Sequence, residues 1–462
     1  MHRRGTATAF AVAMSALPMA LSVPTPAVAD SRTAVNIVGT SDVSDSNLIQ
    51  SVIAPGFAAA YPQYSLNYIP KGTGAAIAYA EAGSADGMIV HAESLENRFV
   101  DPGNGHPSFS DEPAGRAVFY GDFVLLGPPS DPAHVQAKDR HNIVGAFQAI
   151  ASAGAHGKAD FVSRGGTPGT TVEEHQIWNY LSDVSGSPTL CQVGTDNGGG
   201  YSPSTASGTC PNSINYPSWY HATGLTQGPN IEAGDVCNFA SGANDCYVLT
   251  DRATFDYLAS TNAISKLKIV SRDNSPDAPG GATLLTNYFH AYAVNPAAVP
   301  GHSNIDVAGA EAFLNYLTSR EAQSAVSGYL TGRHADTPPF AGDAAPVITS
   351  SAPSKPVLHL GRRYVIHGKL INVAPATPPL AGKRVRLVVV RHGVTSPAGS
   401  AKTNAKGGFA ISFRAKTGGA YVVESGKLKQ VEDASLRPTF SDLLGPSSIT
   451  IGHFGVRAHP SR

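Results

Sequence analysis

Charge is scarce in this 462-residue chain: Asp, Glu, Lys and Arg make up 15% of it, against roughly 25% in ordinary soluble proteins. The 33 Lys and Arg nearly cancel the 34 Asp and Glu, leaving a formal net charge of -1. So balanced a chain is not expected to hold nucleic acid on a basic face. Catalytic signatures are missing too. There is no His-Glu-x-x-His, no Gly-x-Ser-x-Gly elbow and no Gly-x-x-x-x-Gly-Lys phosphate loop, so neither an enzyme nor a bound cofactor is expected. Beyond the N-terminus no segment approaches the roughly 18 unbroken apolar residues of a membrane span. Cysteine is limited to four residues without a Cys-x-x-Cys pair, which weighs against a zinc site and leaves no metal expected.

What is present points to export. His2-Arg3-Arg4 is a basic start, an apolar run from Ala7 to Val23 follows, and Ala27-Val28-Ala29 offers small residues for cleavage, so residues 1–29 read as a signal peptide and the mature chain as extracellular or cell-surface. An uncleaved anchor is the rival reading, opposed by Pro18 and Pro24. No Cys follows the run, so lipid anchoring is not expected. An even cysteine count in an exported chain favours two disulfides, with Cys191–Cys210 and Cys237–Cys246 the most local of three possible pairings.

Length suggests about three domains, and 42% hydrophobic residues suffice to build their cores. Residues 30–337 alternate short apolar runs with helical periods: strands at Val35–Val38, Ser65–Ile69, Gly87–His91, Ala117–Leu126, Phe161–Ser163, Tyr247–Thr250 and Tyr288–Val294, and helices at Asn47–Ala60, Ala75–Ala82, His141–Ala153, Val172–Leu181, Ala253–Ser260 and Ala308–Leu330. Such alternation predicts an α/β domain with parallel pairing. Residues 182–247, holding all four cysteines among Gly, Ser and Asn, read as a stapled excursion. Residues 338–356 turn to Pro, Ala and Ser and read as a linker. From 357 to 451 the period becomes two, as in Val385, Leu387 and Val389 or Phe409, Ile411 and Phe413, which predicts about four strands of a small β-sandwich followed by a tail at 452–462.

One device recurs three times: an apolar strand, a small hydroxyl- or glycine-rich loop, and a helix. The loops are Val38-Gly39-Thr40-Ser41-Asp42, Lys71-Gly72-Thr73-Gly74 and Ser163-Arg164-Gly165-Gly166-Thr167-Pro168-Gly169-Thr170. Helix starts present unpaired N–H groups, glycine lets a backbone approach a ligand, and the Arg164 fork fits an oxyanion. The plainer reading is capping, and Thr170 with Glu173 or Thr171 with Glu174 fits a capping box. Glu174 and His175, adjacent in sequence, read as a solvated helix surface.

The runs Gly72-Thr73-Gly74-Ala75, Gly83-Ser84-Ala85-Asp86-Gly87-Met88-Ile89-Val90-His91-Ala92, Tyr120-Gly121-Asp122-Phe123, Phe161-Val162-Ser163-Arg164-Gly165 and Leu249-Thr250-Asp251-Arg252-Ala253-Thr254 resemble, in order, the tungstate-binding proteins of ABC importers, of the type II periplasmic-binding superfamily. The resemblance spans roughly Val35 to Leu330. It implies two α/β lobes joined by a hinge, a small oxyanion (tungstate, molybdate or phosphate-like) held between them, and delivery to an ABC permease. By position it implies ligand contacts from Thr40, Ser41, Gly72, Thr73, Gly74, Ser163, Arg164, Gly169 and Thr170. His91 sits in a matching motif as a ligand or a structural hydrogen-bonding group. The family's first loop usually runs Thr-Thr-Thr-Ser where this chain has Val38-Gly39-Thr40-Ser41, so two hydroxyls are missing. Asp42 follows; pointing into the cleft it would favour a protonated, phosphate-like anion, and capping the next helix it would leave the tungstate reading intact. The C-terminal segment resembles bacterial Ig-like modules, with a cell-wall or surface component as its expected partner. The alternatives are an adhesion protein on the same scaffold and an extracellular enzyme walled by Trp219, Tyr220 and His221.

Overall fold

The computed structural model describes residues 32–166, 168–185, 191–193, 202–204, 217–299, 301, 304–331, 337–354, 357–373, 379–433 and 440–458. The proposed signal segment and Cys210 lie outside them, as does the Cys191 side chain. Among the described residues no helix is long and apolar enough to cross a membrane.

A mixed sheet runs in the order Tyr64–Lys71, Thr33–Thr40, Gly87–Val90, Thr286–Ala293, Gly115–Gly127, Cys246–Asp251, Asp160–Ser163, Tyr220–Ala222. The first three strands are mutually parallel, as strand–helix–strand units require. The 13-residue strand Gly115–Gly127 is the joint of the molecule. Its first part pairs with Thr286–Ala291 and its last with Val248–Asp251, so one strand serves two lobes. Almost every residue along it is buried, which is why its sequence reads as a continuous apolar run rather than an alternation. In the first lobe Phe57, Phe119, Phe289 and Phe313 centre one core, backed by Met88, Phe99 and Tyr292. In the second, Phe147, Phe161, Trp178 and Tyr247 form another.

Three expectations change. The helix read over Ala308–Leu330 is two, Val307–Leu317 and Arg320–Gly328, because the Ser319 hydroxyl accepts from the Ala322 N–H and starts a new helix. The excursion contains the helix Gln227–Val236, whose end is tied to the strand Cys246–Asp251 by the Cys237–Cys246 disulfide. The segment 338–356 is not a free linker: Phe340 is buried in the first lobe against Phe119, Ala341–Gly342 pairs with the joint strand, and Val347–Ser350 opens the C-terminal sheet. Its Pro- and Ser-rich composition masks two apolar anchors, Phe340 and Ile348.

The C-terminal module is all-β, with more strands than its periodicity suggested. A three-stranded sheet (Val347–Ser350, Arg363–Ile371, Gly408–Arg414) and a five-stranded sheet (Val357–His359, Ser447–Arg457, Gly419–Ser425, Arg384–Arg391, Val394–Lys402) close on one core of Ile366, Leu387, Ile411, Phe413, Tyr421 and Phe454. The last strand takes in much of the expected tail. A hairpin, Leu428–Asp433 with Phe440–Leu444, reaches back so that Asp442 and Leu443 pair with Gly115 and Arg116. The module is therefore joined to the first lobe by sheet extension.

Candidate functional site

The loops that end the strands Thr33–Thr40 and Gly87–Val90 in one lobe face the loop that ends Asp160–Ser163 in the other, and the two lobes are in contact. Arg164 bridges them. Its guanidinium, 5% exposed, donates through Nη2 to the Ser41 Oγ of the opposite lobe (3.0 Å), through Nη1 to Gln227 Oε1 (2.9 Å) and through Nε to the Leu225 carbonyl (3.3 Å). Every one of these partners is a neutral oxygen. Burial lowers the Arg164 pKa, opposed by the charges of Asp42, Asp45 and Asp251.

The first loop lies under this cation. Thr40 and Ser41 are buried, and the Thr40 hydroxyl has no well-formed hydrogen bond among the described residues. Asp42 is fully buried and does not serve as the expected helix cap. Its Oδ1 accepts from the Val43 N–H (2.9 Å) and its Oδ2 lies 2.8 Å from His91 Nε2, in a charge contact outside hydrogen-bond geometry. Burial would raise the Asp42 pKa, but His91, Thr40 and Arg164 outweigh it and hold the carboxyl below its ordinary value. His91 thus faces a carboxylate, and its carbonyl accepts from the Thr73 hydroxyl (3.2 Å). The second loop starts the helix Thr73–Glu81, with Gly72 in extended conformation at its N-cap and Thr73 and Gly74 buried.

From the second lobe Gly169 opens the long helix Gly169–Ser185. It meets His91 so closely that a Cβ there would lie 2.2 Å from the His91 carbonyl oxygen; a Cβ on Gly72 would meet Pro168 at 3.1 Å. At these two glycines the lobes approach too closely to admit a side chain without a shift. Thr170 and Thr171 do not form the expected capping box: Thr170 donates to Gln227 Oε1 (2.9 Å) and Thr171 to the Gly165 carbonyl (3.2 Å). The Ser163 Oγ accepts from the Gly165 N–H (3.1 Å) and meets Glu174. Two further contacts clasp the lobes: the Gly228 N–H donates to Asp45 Oδ2 (2.8 Å) and the Thr254 hydroxyl to the Asp42 carbonyl (3.3 Å).

Glu174 and His175 are not a solvated surface. Glu174 accepts from the Tyr220 hydroxyl (2.5 Å) and Trp178 Nε1 (3.2 Å), and both residues are buried. Burial lifts Glu173 to about 8 and Glu174 to about 7 and drops His175 to about 3. All three lie on the helix Gly169–Ser185, and Glu174 also reaches Ser163 beside Arg164.

A family model described as the PBP superfamily domain matches residues 25–321. The chain belongs to the PBP superfamily. It is 33% identical over 261 residues to a Haloferax volcanii protein named "Putative ABC transporter anion-binding protein", a match covering 56% of this chain and 59% of the relative. It is 28% identical over 290 residues to the tungstate-binding protein TupA of Peptoclostridium acidaminophilum, covering 63% of this chain and 79% of that one. The solved structure of the tungstate ABC transporter from Geobacter sulfurreducens is 25% identical, covering 64% of this chain and 98% of that chain at a TM-score of 0.46.

Within this PBP domain, sequence reasoning missed three residues of the crevice. Gln227 accepts from both Arg164 and Thr170 and passes a donor to Thr250. Asp251, whose Oδ1 caps the following helix through the Thr254 N–H (2.8 Å), keeps a buried Oδ2; burial and the charge of Asp42 raise it to about 7. Thr250 and Asp251 stood in a motif already singled out. Gln227 had no such signal, since it follows a Gly-, Pro- and Asn-rich stretch.

Proposed function

We propose that this protein is an exported solute receptor that closes its two lobes on a small tetrahedral oxyanion and presents it to an ABC permease. The observation that carries the reading is Arg164: a buried cation at the lobe interface whose direct partners among the described residues are all neutral. A buried cation that no carboxylate touches directly is costly, the charges of Asp42, Asp45 and Asp251 offsetting that cost only in part, and an arriving oxyanion would meet it in a fixed bidentate fork. Thr40, Ser41, Gly72, Thr73, Gly74, Gly169 and Thr170 line the loops that converge there, and helix starts add oriented N–H groups. Ser163 serves this site by shaping the Arg164 loop. Asp42 meets the Val43 N–H and the His91 ring, so its carboxylate is engaged by the protein rather than held out for a ligand proton. That favours an acceptor-only anion of the tungstate or molybdate type, and tungstate is the ligand in the name of the TupA relatives. Sequence and family support binding rather than catalysis. The scaffold is read as type II, the first 29 residues as a cleaved signal, and the C-terminal module as an Ig-like spacer at the cell surface.

Asp251 supports a second ligand class. A buried carboxyl poised near neutrality, with one oxygen uncommitted, suits hydrogen phosphate, which carries both donor and acceptor. Calorimetry with tungstate, molybdate, sulfate and phosphate at pH 6 and pH 8 separates the cases. Tight tungstate binding with little pH dependence supports the first reading, and phosphate binding that varies with pH supports the second. Silence with all four anions overturns both and leaves an adhesion protein on a binding scaffold.

A further inference from the structure

The near-zero net charge of the chain is the sum of two opposite poles. Residues 338–462 contain 17 Lys and Arg against 5 Asp and Glu, whereas residues 1–337 contain 16 against 29. The whole-chain balance therefore concealed a strongly cationic C-terminal module attached to anionic lobes. Its cations are organised by the strand period. Ile366, Leu370, Ile411 and Phe413 of the three-stranded sheet, and Val385, Leu387 and Val423 of the five-stranded one, point into the shared core. The alternate positions face outward. Arg363, Lys369 and Arg414 stand exposed on the first sheet, and Arg384, Arg386 and Lys402 on the second. Two of the cross-strand pairs set like charges directly opposite one another: Arg363 against Arg414 and Arg384 against Lys402. Such pairs destabilise a sheet. Glu424, 3.5 Å from Arg386, is the only carboxylate that an ion pair brings to these six cations among the described residues.

We propose that the module is a docking surface for a linear, phosphate-bearing polyanion of the cell surface. Arg384 and Arg386 are successive outward residues about 6.6 Å apart with Lys402 opposite Arg384, while on the other sheet the Arg363–Arg414 pair stands about 20 Å along the strand from Lys369, with Val365 and His367 between, so each sheet offers a spaced set of cations to a flexible chain of repeating phosphates, and counterion release drives the association. Placement of the cations discriminates among occupants. The two sets lie on opposite faces of the sandwich, so a flat bilayer could meet only one of them, while a flexible polymer can follow both. Among the residues whose exposure is described, the exposed large apolar residues of the module, such as Val365 and Val394, include no Phe or Trp that could anchor in lipid. The module is fixed to the first lobe through the Asp442 and Leu443 pairing, so a polymer bound there would hold that lobe while leaving the crevice open to solute.

The test uses the full chain with poly(glycerol phosphate), with phosphatidylglycerol vesicles as a separate arm and sedimentation velocity to follow self-association. The expected result is polymer binding whose logarithmic affinity falls with logarithmic salt concentration with a slope of about 3 or more. The triple variants R363Q/K369Q/R414Q and R384Q/R386Q/K402Q should each weaken it about tenfold at 0.1 M salt and reduce the slope by about 2. Both variants should melt no lower than the parent, because like-charge pairs have been relieved. The salt series on the unmodified chain stands even if a variant fails to fold. Absence of polymer binding at 50 mM salt, preference for vesicles over polymer, or self-association of cationic module on anionic lobes in place of polymer binding would each overturn the proposal. Because the lobes are unchanged in these variants, oxyanion calorimetry reports separately on the crevice.

Discussion

In the interlobe crevice Asp42, Arg164 and Asp251 are all buried, held by neutral oxygens, a helix cap and one imidazole; in the C-terminal module an apolar cluster forms the core, the buried polar residues include Thr403, Ser425, Gln430 and Asp442, and the six cations of the sheet faces stand outside. Burying ionisable groups costs stability that hydrophobic packing would not. The crevice thus keeps an expensive arrangement where two lobes and a ligand can share it, while the module follows the ordinary inside–outside rule and places its charge for long-range attraction. Under the two proposals, a single chain would use charge for short-range selection at one end and for attraction at the other.

The sharpest way to break this contrast is to remove the crevice cation. Arg164→Ala leaves Asp42, Asp45 and Asp251 facing one another without their counter-charge, and it should abolish the calorimetric signal for every oxyanion and destabilise the lobes by about 3 kcal/mol. A change on the module, such as Arg386→Gln, should leave both quantities alone. Gly169→Ala comes next. Its new Cβ would press on the His91 carbonyl, a backbone atom that cannot yield cheaply, so the lobes should close less completely and oxyanion affinity should fall at least tenfold, read by calorimetry beside small-angle scattering.

A pH comparison follows. The raised pKa of Glu173 means that its neutral form is favoured on folding, so its contribution falls as pH rises from about 4.5 through about 8. Glu174 and Asp251 act in the same direction up to about 7. Asp42, held low, acts oppositely and loses its contribution only as pH falls below the ordinary carboxylate range. Glu173→Gln should therefore raise the melting temperature of the lobes by about 3 °C at pH 8.5 and leave it unchanged at pH 4. The smallest effect is expected from Arg414→Gln, which relieves one like-charge pair on the module and should stabilise it by a few tenths of a kcal/mol in chemical denaturation.

How far the sequence could be read follows the same division. The module was legible because exposure alternates along its strands, as the Val385, Leu387 and Val389 period required. Arg164 was singled out through the family resemblance, since a strand–loop–helix junction by itself reads more plainly as a helix cap. Gln227 was hidden because its helix follows a loop-like composition and its role comes through contacts 23, 57 and 63 residues away. Glu174 was misread for a related reason: helical periodicity assigns a face, but whether that face is wet depends on Trp178 and Tyr220 folding over it. Phe340 shows the same limit, since one aromatic residue in a Pro-rich stretch is enough to pin a segment to a distant core.

The most direct test is a crystal grown with tungstate and measured at the tungsten L-III absorption edge. An anomalous peak between the lobes, within hydrogen-bonding reach of the Arg164 guanidinium and the Ser41 hydroxyl, is the predicted result. A crystal with the crevice free of tungsten while the ion sits on the outer surface of the C-terminal sheets would contradict the account.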